Sequence, residues 1–400
     1  MKSLLSAKGS DITSWRMAAD FSGAYRQTLL DLAATDPSGT AEAVFTESAA
    51  TLETAITIHR QLLQQLSSMI EEMATAHPSR RRELTIDFYD ALYRHFDRFH
   101  SARAFFQLSM DFLRATSSAI VAQAHSQLGA DAGQLPEMAL IAIGPASRCE
   151  YSPFCPLQIL LVHADTAASN SPAIDAFCQT LHTAFEEAGL SMDPDISPRN
   201  PDWRGTPAEW QYRCETEEDS INLCRLIDQV PLPADNQLAS TLKEVSSSAL
   251  RKNSFAVTNL VQRMTALSNG LSLMGKLKLE RNGRFHLLNH GLLPLSAALS
   301  TLALIKNCAA ACNHKRIHEL LDQRTIDVEL AERMLTTWHI LHNLRLKQEQ
   351  AFAFIEHDSN TLYLNPHKLT ADQRQTLKET LEDVATIQRH VEIIFSEMGV

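Results

Sequence analysis

Two aspartates separated by one residue are the first candidates for chemistry in this chain. Asp193 and Asp195 flank Pro194, and on a strand this spacing would turn both carboxylates to the same side. Carboxylate oxygens are the ligands that Mg²⁺ prefers, and Asp228 could complete such a site. The alternative interpretation is a turn, because Asp and Pro are both typical turn residues.

Histidine pairs are the second candidate. Spacings of three or four residues would bring two imidazoles to one helix face, where they could bind zinc. Such pairs occur at His286 and His290, His314 and His318, and His339 and His342. The chain has 16 histidines, so pairs of this kind arise readily by chance, and no cysteine cluster completes a four-ligand set. We therefore expect no metal at these pairs.

The first part of the chain reads as helical. Gly and Pro are rare in residues 1–128, and apolar residues between Thr40 and Ala76 recur at steps of three and four. The segment His77-Pro78-Ser79 breaks this pattern, and two more helices are expected before residue 128. We predict an N-terminal helical bundle over residues 1–128, with an aromatic stripe that contains Phe88 and Phe96 in its core.

The hydrophobic pattern then changes from helical to strand-like. Residues 129–235 are predicted to form a small α/β unit that ends in a Pro-rich joint, VPLPAD, at 230–235. Its predicted elements are two buried strands, a helix and a third strand, over residues 138–143, 157–162, 172–188 and 190–196.

Residues 236–400 are again predicted to be helical. A long helical stretch runs from Leu238 to Met274, a hairpin or irregular loop is expected at 276–288, and later helices are broken near 358–366. The fold class is therefore α+β and helix-dominated, with an N-terminal helical bundle, a small mixed-sheet domain and a C-terminal helical domain.

Charge and composition exclude several functional classes. Lys and Arg total 36 against 47 Asp and Glu, a net charge of −11, which argues against binding nucleic acid by broad phosphate neutralisation. No stretch resembles a membrane span, and the start, MKSLLSAKGS, is too polar for a secretory signal, so we expect a cytoplasmic protein. Seven cysteines without a C-x-x-C motif predict reduced thiols, mostly structural.

The segment IAIGPASRCEYSPFCPLQILLV, residues 141–162, carries a resemblance to a known family. It resembles the nucleotidyltransferase fold, in particular the N-terminal part of protein-PII uridylyltransferases and the signal-transduction proteins related to them. That family has Gly-Ser, then Arg and Glu, then Asp-x-Asp on the second strand. Gly144, Arg148 and Glu150 fall on its Gly, Arg and Glu, which the resemblance implies are nucleotide-binding positions.

Further segments resemble the same family in the same order. Residues 200–210, with Asn-Pro-Asp-Trp-Arg-Gly and Ala-Glu-Trp, are similar to its Asn-Pro-x-Trp-Arg…Glu-Trp segment, and Leu226-Ile227-Asp228 follows. The C-terminal region resembles the family's helical substrate-binding domain. The residues that carry this last likeness are Lys278, Arg316, Leu344-Arg345-Leu346, Gln348 and Leu369-Thr370.

The departures from the family pattern concern the chemistry itself. Pro145 stands at the Ser position, Pro156 and Gln158 stand at the two Asp positions, and Val230 stands at an Arg position. Nucleotidyl transfer normally needs two divalent ions about 4 Å apart, and a neutral site cannot hold them against their mutual repulsion. Pro145 also lacks a backbone N–H that could meet a phosphate.

Two hypotheses follow. The first is a regulatory or scaffold protein that keeps the fold, is catalytically impaired and needs no cofactor. The alternative is an active nucleotidyltransferase that modifies a protein substrate, uses Mg²⁺ with a nucleoside triphosphate, and takes Asp193, Asp195 and Asp228 as metal ligands, with Asp228 also as its catalytic residue. Arg148 and Glu150 either form an ion pair that stabilises the loop or keep a nucleotide-phosphate contact.

The predicted partners follow from the same reasoning. A protein partner of unknown identity is expected, without nucleic acid and without a membrane, and the chain could form a homo-oligomer.

Overall fold

The computed structural model describes residues 40–165, 171–216, 223–233, 236–280, 283–351 and 362–397. Eleven α-helices and two small sheets lie in these ranges. The helix-dominated α+β class predicted from the sequence is confirmed. The part of the predicted N-terminal bundle that precedes Thr40 lies outside the described part of the chain.

Three helices form the described part of the N-terminal bundle: α1 Thr40–Thr75, α2 Pro78–Phe99 and α3 Ala102–Leu128. Pro78 occupies the first turn of α2, where its missing N–H costs nothing, and the Ser101 side chain caps α3 by accepting from the N–H of Ala104. Phe88 and Phe112 stack with their ring centroids 3.9 Å apart in the core. The aromatic stripe is packing, as the helical spacing predicts.

A four-stranded mixed sheet follows, with strand order β3-β2-β1-β4. The strands are β1 Met138–Ile143, β2 Gln158–His163, β3 Arg204–Gly205 and β4 Gln229–Leu232. β1 pairs antiparallel with both β2 and β4, and β2 pairs parallel with β3. Helix α4, Pro172–Glu187, and helix α5, Pro207–Thr216, complete this part of the fold.

The predicted strand at 190–196 is wrong. The segment keeps only an isolated bridge between Leu157 and Met192. Asp193 Oδ1 instead accepts hydrogen bonds from the N–H groups of Asp195 and Ile196, both at 3.0 Å, and Pro194 has no N–H to give to a neighbouring strand. The turn interpretation of Asp-Pro-Asp is therefore correct.

The Pro-rich segment at 230–235 is more than a joint, because β4 lies partly within it. β4 is an edge strand, the position in a sheet that tolerates a proline such as Pro231. The sequence does not predict this strand, because its prolines are typical of turns and loops.

The C-terminal part consists of packed helices. They are α6 Gln237–Lys252, α7 Ser254–Ala266, α8 Leu293–Lys306, α9 Asn313–Asp322, α10 Val328–Gln350 and α11 Ala371–Ser396. The helical stretch predicted from Leu238 to Met274 consists of two helices, because Asn253 ends α6 and caps α7, and it ends at Ala266. A two-stranded ladder joins β5, Phe285–His286, to β6, Tyr363–Leu364.

One segment, Leu288–Lys306, is long and apolar enough to cross a membrane, judged within the described ranges by length and composition. The sequence analysis did not single it out. The protein buries 67% of it, with Leu295, Leu299 and Leu302 in the core, so its apolar character is accounted for by packing. The domain boundaries at 128 and 235 remain predictions.

Candidate functional site

The turn that follows β1 is the centre of the candidate site. Gly144 ends the strand with φ +64°, a backbone conformation that favours glycine. A Cβ atom at this position would lie 2.3 Å from Oε1 of Gln158, so the Gln158 side chain passes directly over the glycine. Gly144 and the residue at the family's second Asp position, Gln158, are therefore in contact with each other.

The turn uses its own backbone groups. The N–H groups of Arg148, Cys149 and Glu150 donate to the carbonyls of Gly144, Ala146 and Pro145, respectively, at 2.8–3.3 Å. Ser147 Oγ also donates to the Gly144 carbonyl, at 2.7 Å. These three amide groups are thus committed inside the turn rather than offered to a ligand.

Arg148 joins two buried carboxylates. Its Nε lies 3.0 Å from Oε2 of Glu150, and its Nη1 lies 3.2 Å from Oδ2 of Asp228, at the start of β4. The ion pair between Arg148 and Glu150 that the sequence left open is formed. Contact of Arg148 with a nucleotide phosphate stays a prediction.

Asp228 is held from the C-terminal helices as well. Arg316 Nη2, on α9, donates to Asp228 Oδ1 at 2.6 Å, and Ser300 Oγ, on α8, donates to Oδ2 at 2.8 Å. The Arg316 side chain is completely buried. Asp228 is therefore the junction between the mixed sheet and the C-terminal helices.

Glu150 is bound by two of the C-terminal helices, α9 and α10. Oε1 accepts from Asn313 Nδ2 at 2.7 Å and from Trp338 Nε1 at 2.9 Å, and His342 Nε2 lies 3.3 Å away. Burial alone would raise the pKa of this carboxyl, but the charge of Arg148 and the side chains of His342 and Trp338 outweigh it. The pKa of Glu150 therefore lies well below its ordinary value.

A second buried ion pair extends the network to the N-terminal helices. Arg345 donates to Glu349, one turn later on α10, at 2.7 Å, and also to the backbone carbonyl of Glu150 at 3.0 Å. Tyr93 Oη, on α2, and Ser152 Oγ donate to the two oxygens of Glu349, both at 3.0 Å. The polar network thus links all three predicted parts of the chain.

Sequence reasoning found only some members of this network. Arg316 and Arg345 were noted as family positions, but their acidic partners were not identified. The i,i+4 spacing of Arg345 and Glu349 was a usable signal. Asn313 and Trp338 gave none, since single polar or aromatic residues on a helix are usually surface or core.

The residues at the family's metal positions supply no anion. Pro156 is exposed and has no ligand atom, and Gln158 donates its amide Nε2 to Asp193 Oδ2 at 2.8 Å. The proposed substitute ligands do not converge. Asp193 lies at Gln158, Asp228 lies between two arginines, and no group of three or more His, Cys, Asp or Glu in the described ranges is arranged to hold a metal ion.

A cavity of about 680 Å³ opens beside Gln158. Its charged lining consists of three carboxylates and two guanidiniums, from Asp193, Asp195, Asp202, Arg213 and Arg225. Trp203 and Trp210 form one wall, with their ring centroids 6.2 Å apart, and Arg213 lies over the Trp210 ring. Both tryptophans are buried, which indicates that they pack this segment as well as lining the cavity.

The other family segment at this cavity is structural. Asn200 Oδ1 accepts from the Asp202 N–H at 3.1 Å and opens a short 3-10 turn. The fully buried Arg204 donates to the carbonyls of Pro198 and Arg199 and pairs with Asp175 on α4. The Trp-Arg segment therefore fixes the loop that leads into β3.

The histidine pairs take different partners. His290 lies 3.2 Å from Glu280, His339 bonds Asn343, and His342 faces Glu150. Burial lowers the pKa of His314, His318 and His339, which favours neutral imidazoles.

Two family models match the chain. One, described as "Putative nucleotidyltransferase DUF294", matches residues 87–221, from within α2 to just past α5. The other, described as "Putative nucleotidyltransferase substrate binding domain", matches residues 255–395, from α7 to α11. Comparison with curated proteins gave no match.

Proposed function

We propose that this chain, which belongs to the family of nucleotidyltransferase-like proteins with a C-terminal substrate-binding domain, is a catalytically impaired member that acts as a regulatory or scaffold protein. The observation that carries the proposal is the pair of residues at the start of β2 and just before it. Where the family resemblance places two metal-binding aspartates, this chain has Pro156 and a Gln158 that is bonded to Asp193.

The charge of the cleft supports this conclusion. Two bound Mg²⁺ ions repel each other, and they need oxygen ligands with enough negative charge to balance their own charge. Gln158 offers only a neutral amide. A nucleoside triphosphate without metal would meet three carboxylates and two guanidiniums in the cavity. The acidic excess opposes a polyanion that brings no cations with it.

The Gly144 turn supports it as well. In the implied mechanism this turn would receive the phosphates, but the Gln158 side chain lies over Gly144, and three amides of the turn donate within it. Arg148 is neutralised by Glu150 and Asp228. Of the residues predicted to bind nucleotide, Arg148 contacts Asp228, and Glu150 contacts Asn313 and Trp338 on the C-terminal helices.

A scaffold role fits the polar network. Glu150, Asp228 and Glu349 each connect segments that are far apart in the chain, and each of them is paired with an arginine. Such a network fixes one arrangement of the parts and presents a constant surface to a protein partner. The protein partner, the homo-oligomer and the cytoplasmic location stay predictions.

Metal and nucleotide titrations test the proposal. Calorimetry of the full chain with Mg²⁺-ATP and Mg²⁺-UTP at millimolar concentration should give no binding heat, and crystals soaked with Mn²⁺ and either nucleotide should show no pair of anomalous peaks. The matched variant is Pro156→Asp with Gln158→Asp, which returns the missing carboxylates. Gain of Mn²⁺ binding in this variant would locate the loss at β2.

The alternative, an active enzyme, predicts the opposite. Two Mn²⁺ peaks beside a triphosphate in the unaltered chain, or Mg²⁺-dependent transfer of labelled UTP or ATP to a protein that Asp193→Ala abolishes, would overturn the proposal. Asp193 is the better control than Asp228, because loss of Asp228 also breaks two buried ion pairs.

A further inference from the structure

We propose that Cys149 and Cys312 form a redox-active thiol pair, which a hydroperoxide converts into a disulfide between the nucleotidyltransferase-like domain and the substrate-binding domain. The proposal does not depend on whether the cleft is catalytic. All seven cysteines lie in described ranges and are free thiols, so the pair is present in its reduced form.

The backbone brings the two residues together. The N–H of Asn313 donates to the carbonyl of Arg148 at 3.3 Å, which sets the neighbouring Cys149 and Cys312 against each other. Both line the same small cavity of about 30 Å³, so their side chains share one enclosed space. The two cysteines therefore meet although they belong to different domains.

The position of Cys312 favours its thiolate. It immediately precedes α9, a ten-residue helix, and the positive end of the helix dipole favours an anion at this position. The pKa of Cys312 is lowered despite burial, first by the neighbouring Cys149 thiol and then by the backbone and the ammonium charge of Lys315 and the backbone of His314. By contrast, burial raises the pKa of Cys155, Cys178, Cys224 and Cys308.

The backbone at Cys149 is unusual. Its φ is +56°, in the left-handed region that non-glycine residues seldom adopt. Such conformations persist where the surrounding structure fixes them, and the turn that contains Cys149 is fixed by its own backbone hydrogen bonds. Both cysteines are half-buried, and Arg103 and Lys315 line their cavity, so a small peroxide can reach a thiolate in a cationic setting.

The reaction has two steps. The Cys312 thiolate attacks the OH oxygen of the hydroperoxide, an S–O bond forms as the O–O bond breaks, and Cys312 becomes a sulfenic acid. The alkoxide or hydroxide that leaves takes up the proton that the Cys312 thiol released on ionising and departs as an alcohol or water. The Cys149 sulfur then attacks the sulfenic sulfur, the S–O bond breaks, and the hydroxyl group leaves as water with the thiol proton. Two thiols and one hydroperoxide give one disulfide, one water and one alcohol or second water.

The disulfide would add a covalent bond beside the polar network around Glu150 and Asp228. The turn that contains Cys149 also carries Arg148 and Glu150, and α9 carries Asn313 and Arg316, which bind Glu150 and Asp228. Oxidation would add a covalent link to a junction that is otherwise held by hydrogen bonds and ion pairs. Reduction by a dithiol would release it.

The test uses the full chain treated with hydrogen peroxide. Alkylation after treatment should find two fewer thiols of the seven, and digestion should yield a disulfide-linked peptide pair that contains Cys149 and Cys312. Cys149→Ser should instead stop at a Cys312 sulfenic acid that dimedone labels, and Cys312→Ser should lose both products. Cys155→Ser is the matched control and should behave as the unaltered chain does.

The outcome with the unaltered chain decides the matter even if a variant folds poorly. Seven alkylated thiols after peroxide treatment, or a disulfide that maps to a different pair, would overturn the proposal. Dimedone labelling of Cys149→Ser at a cysteine other than Cys312 would overturn the assignment of the attacking thiol.

Discussion

The guanidinium of Arg316 and the carboxylate of Asp228 lie 2.6 Å apart, although 88 residues separate them in the chain. Arg316 is completely buried and Asp228 nearly so, and Arg148 approaches the second Asp228 oxygen at 3.2 Å. A residue that the family resemblance suggests for chemistry therefore carries a contact between the mixed sheet and the C-terminal helices.

Loss of the Asp228 carboxylate should strongly destabilise the protein. Asp228→Ala leaves Arg316 buried without its anion, and we expect the free energy of unfolding to fall by about 3–5 kcal/mol. Urea denaturation measures this. The control is Asp90→Ala, which removes an exposed partner of Arg94 and should change stability by no more than about 0.5 kcal/mol. Equal effects of the two variants would contradict the structural role.

Stability should depend on acid through Glu150. Its pKa in the folded protein lies below the ordinary value of 4.5, so its stabilising contribution is complete above that pH and is lost as the pH falls towards the folded pKa. Glu150→Gln removes this contribution. Urea denaturation should therefore show a larger loss from Glu150→Gln at pH 7 than at about pH 3.5. An equal loss at both pH values would refute the assignment.

The indole of Trp338 should matter through its hydrogen bond. Trp338→Phe removes the donor to Glu150 and should cost about 1.5–3 kcal/mol beyond the packing loss, because the acceptor is charged. Trp210→Phe is the matched control, since the buried Trp210 Nε1 has no hydrogen-bond partner in the described structure. The difference between the two variants, measured by denaturation, isolates the bond.

Gly144 should tolerate no side chain. Gly144→Ala forces alanine into φ +64° and against Gln158 Oε1, and we expect a loss of at least about 1–2 kcal/mol from the backbone alone. Adding Gln158→Ala should recover the part due to the close contact and leave the backbone part. Gly133→Ala, where an added Cβ meets nothing within 4 Å, should be close to neutral. Thermal unfolding of the three variants checks this order.

Local patterns predicted the elements that depend on local interactions. The apolar run at 138–143 became β1 with the same bounds, and the predicted helix at 172–188 became α4. Burial of one helix face or of both strand faces leaves a periodic trace that can be read along the chain. The strand predicted at 190–196 failed because the Asp193 side chain bonds the backbone that a neighbouring strand would need.

The residue types alone determined that Pro156 and Gln158 provide no anion, because that is a property of the side chains and not of their positions. Only the tertiary structure decided the roles of Asp193 and Asp228. Asp193 accepts from Gln158, whereas Asp228 pairs with Arg148 and Arg316. It also decided that Cys149 meets Cys312. A buried charge is stabilised by whichever opposite charge the packing brings near, and residues distant in sequence leave no periodic signal of that encounter.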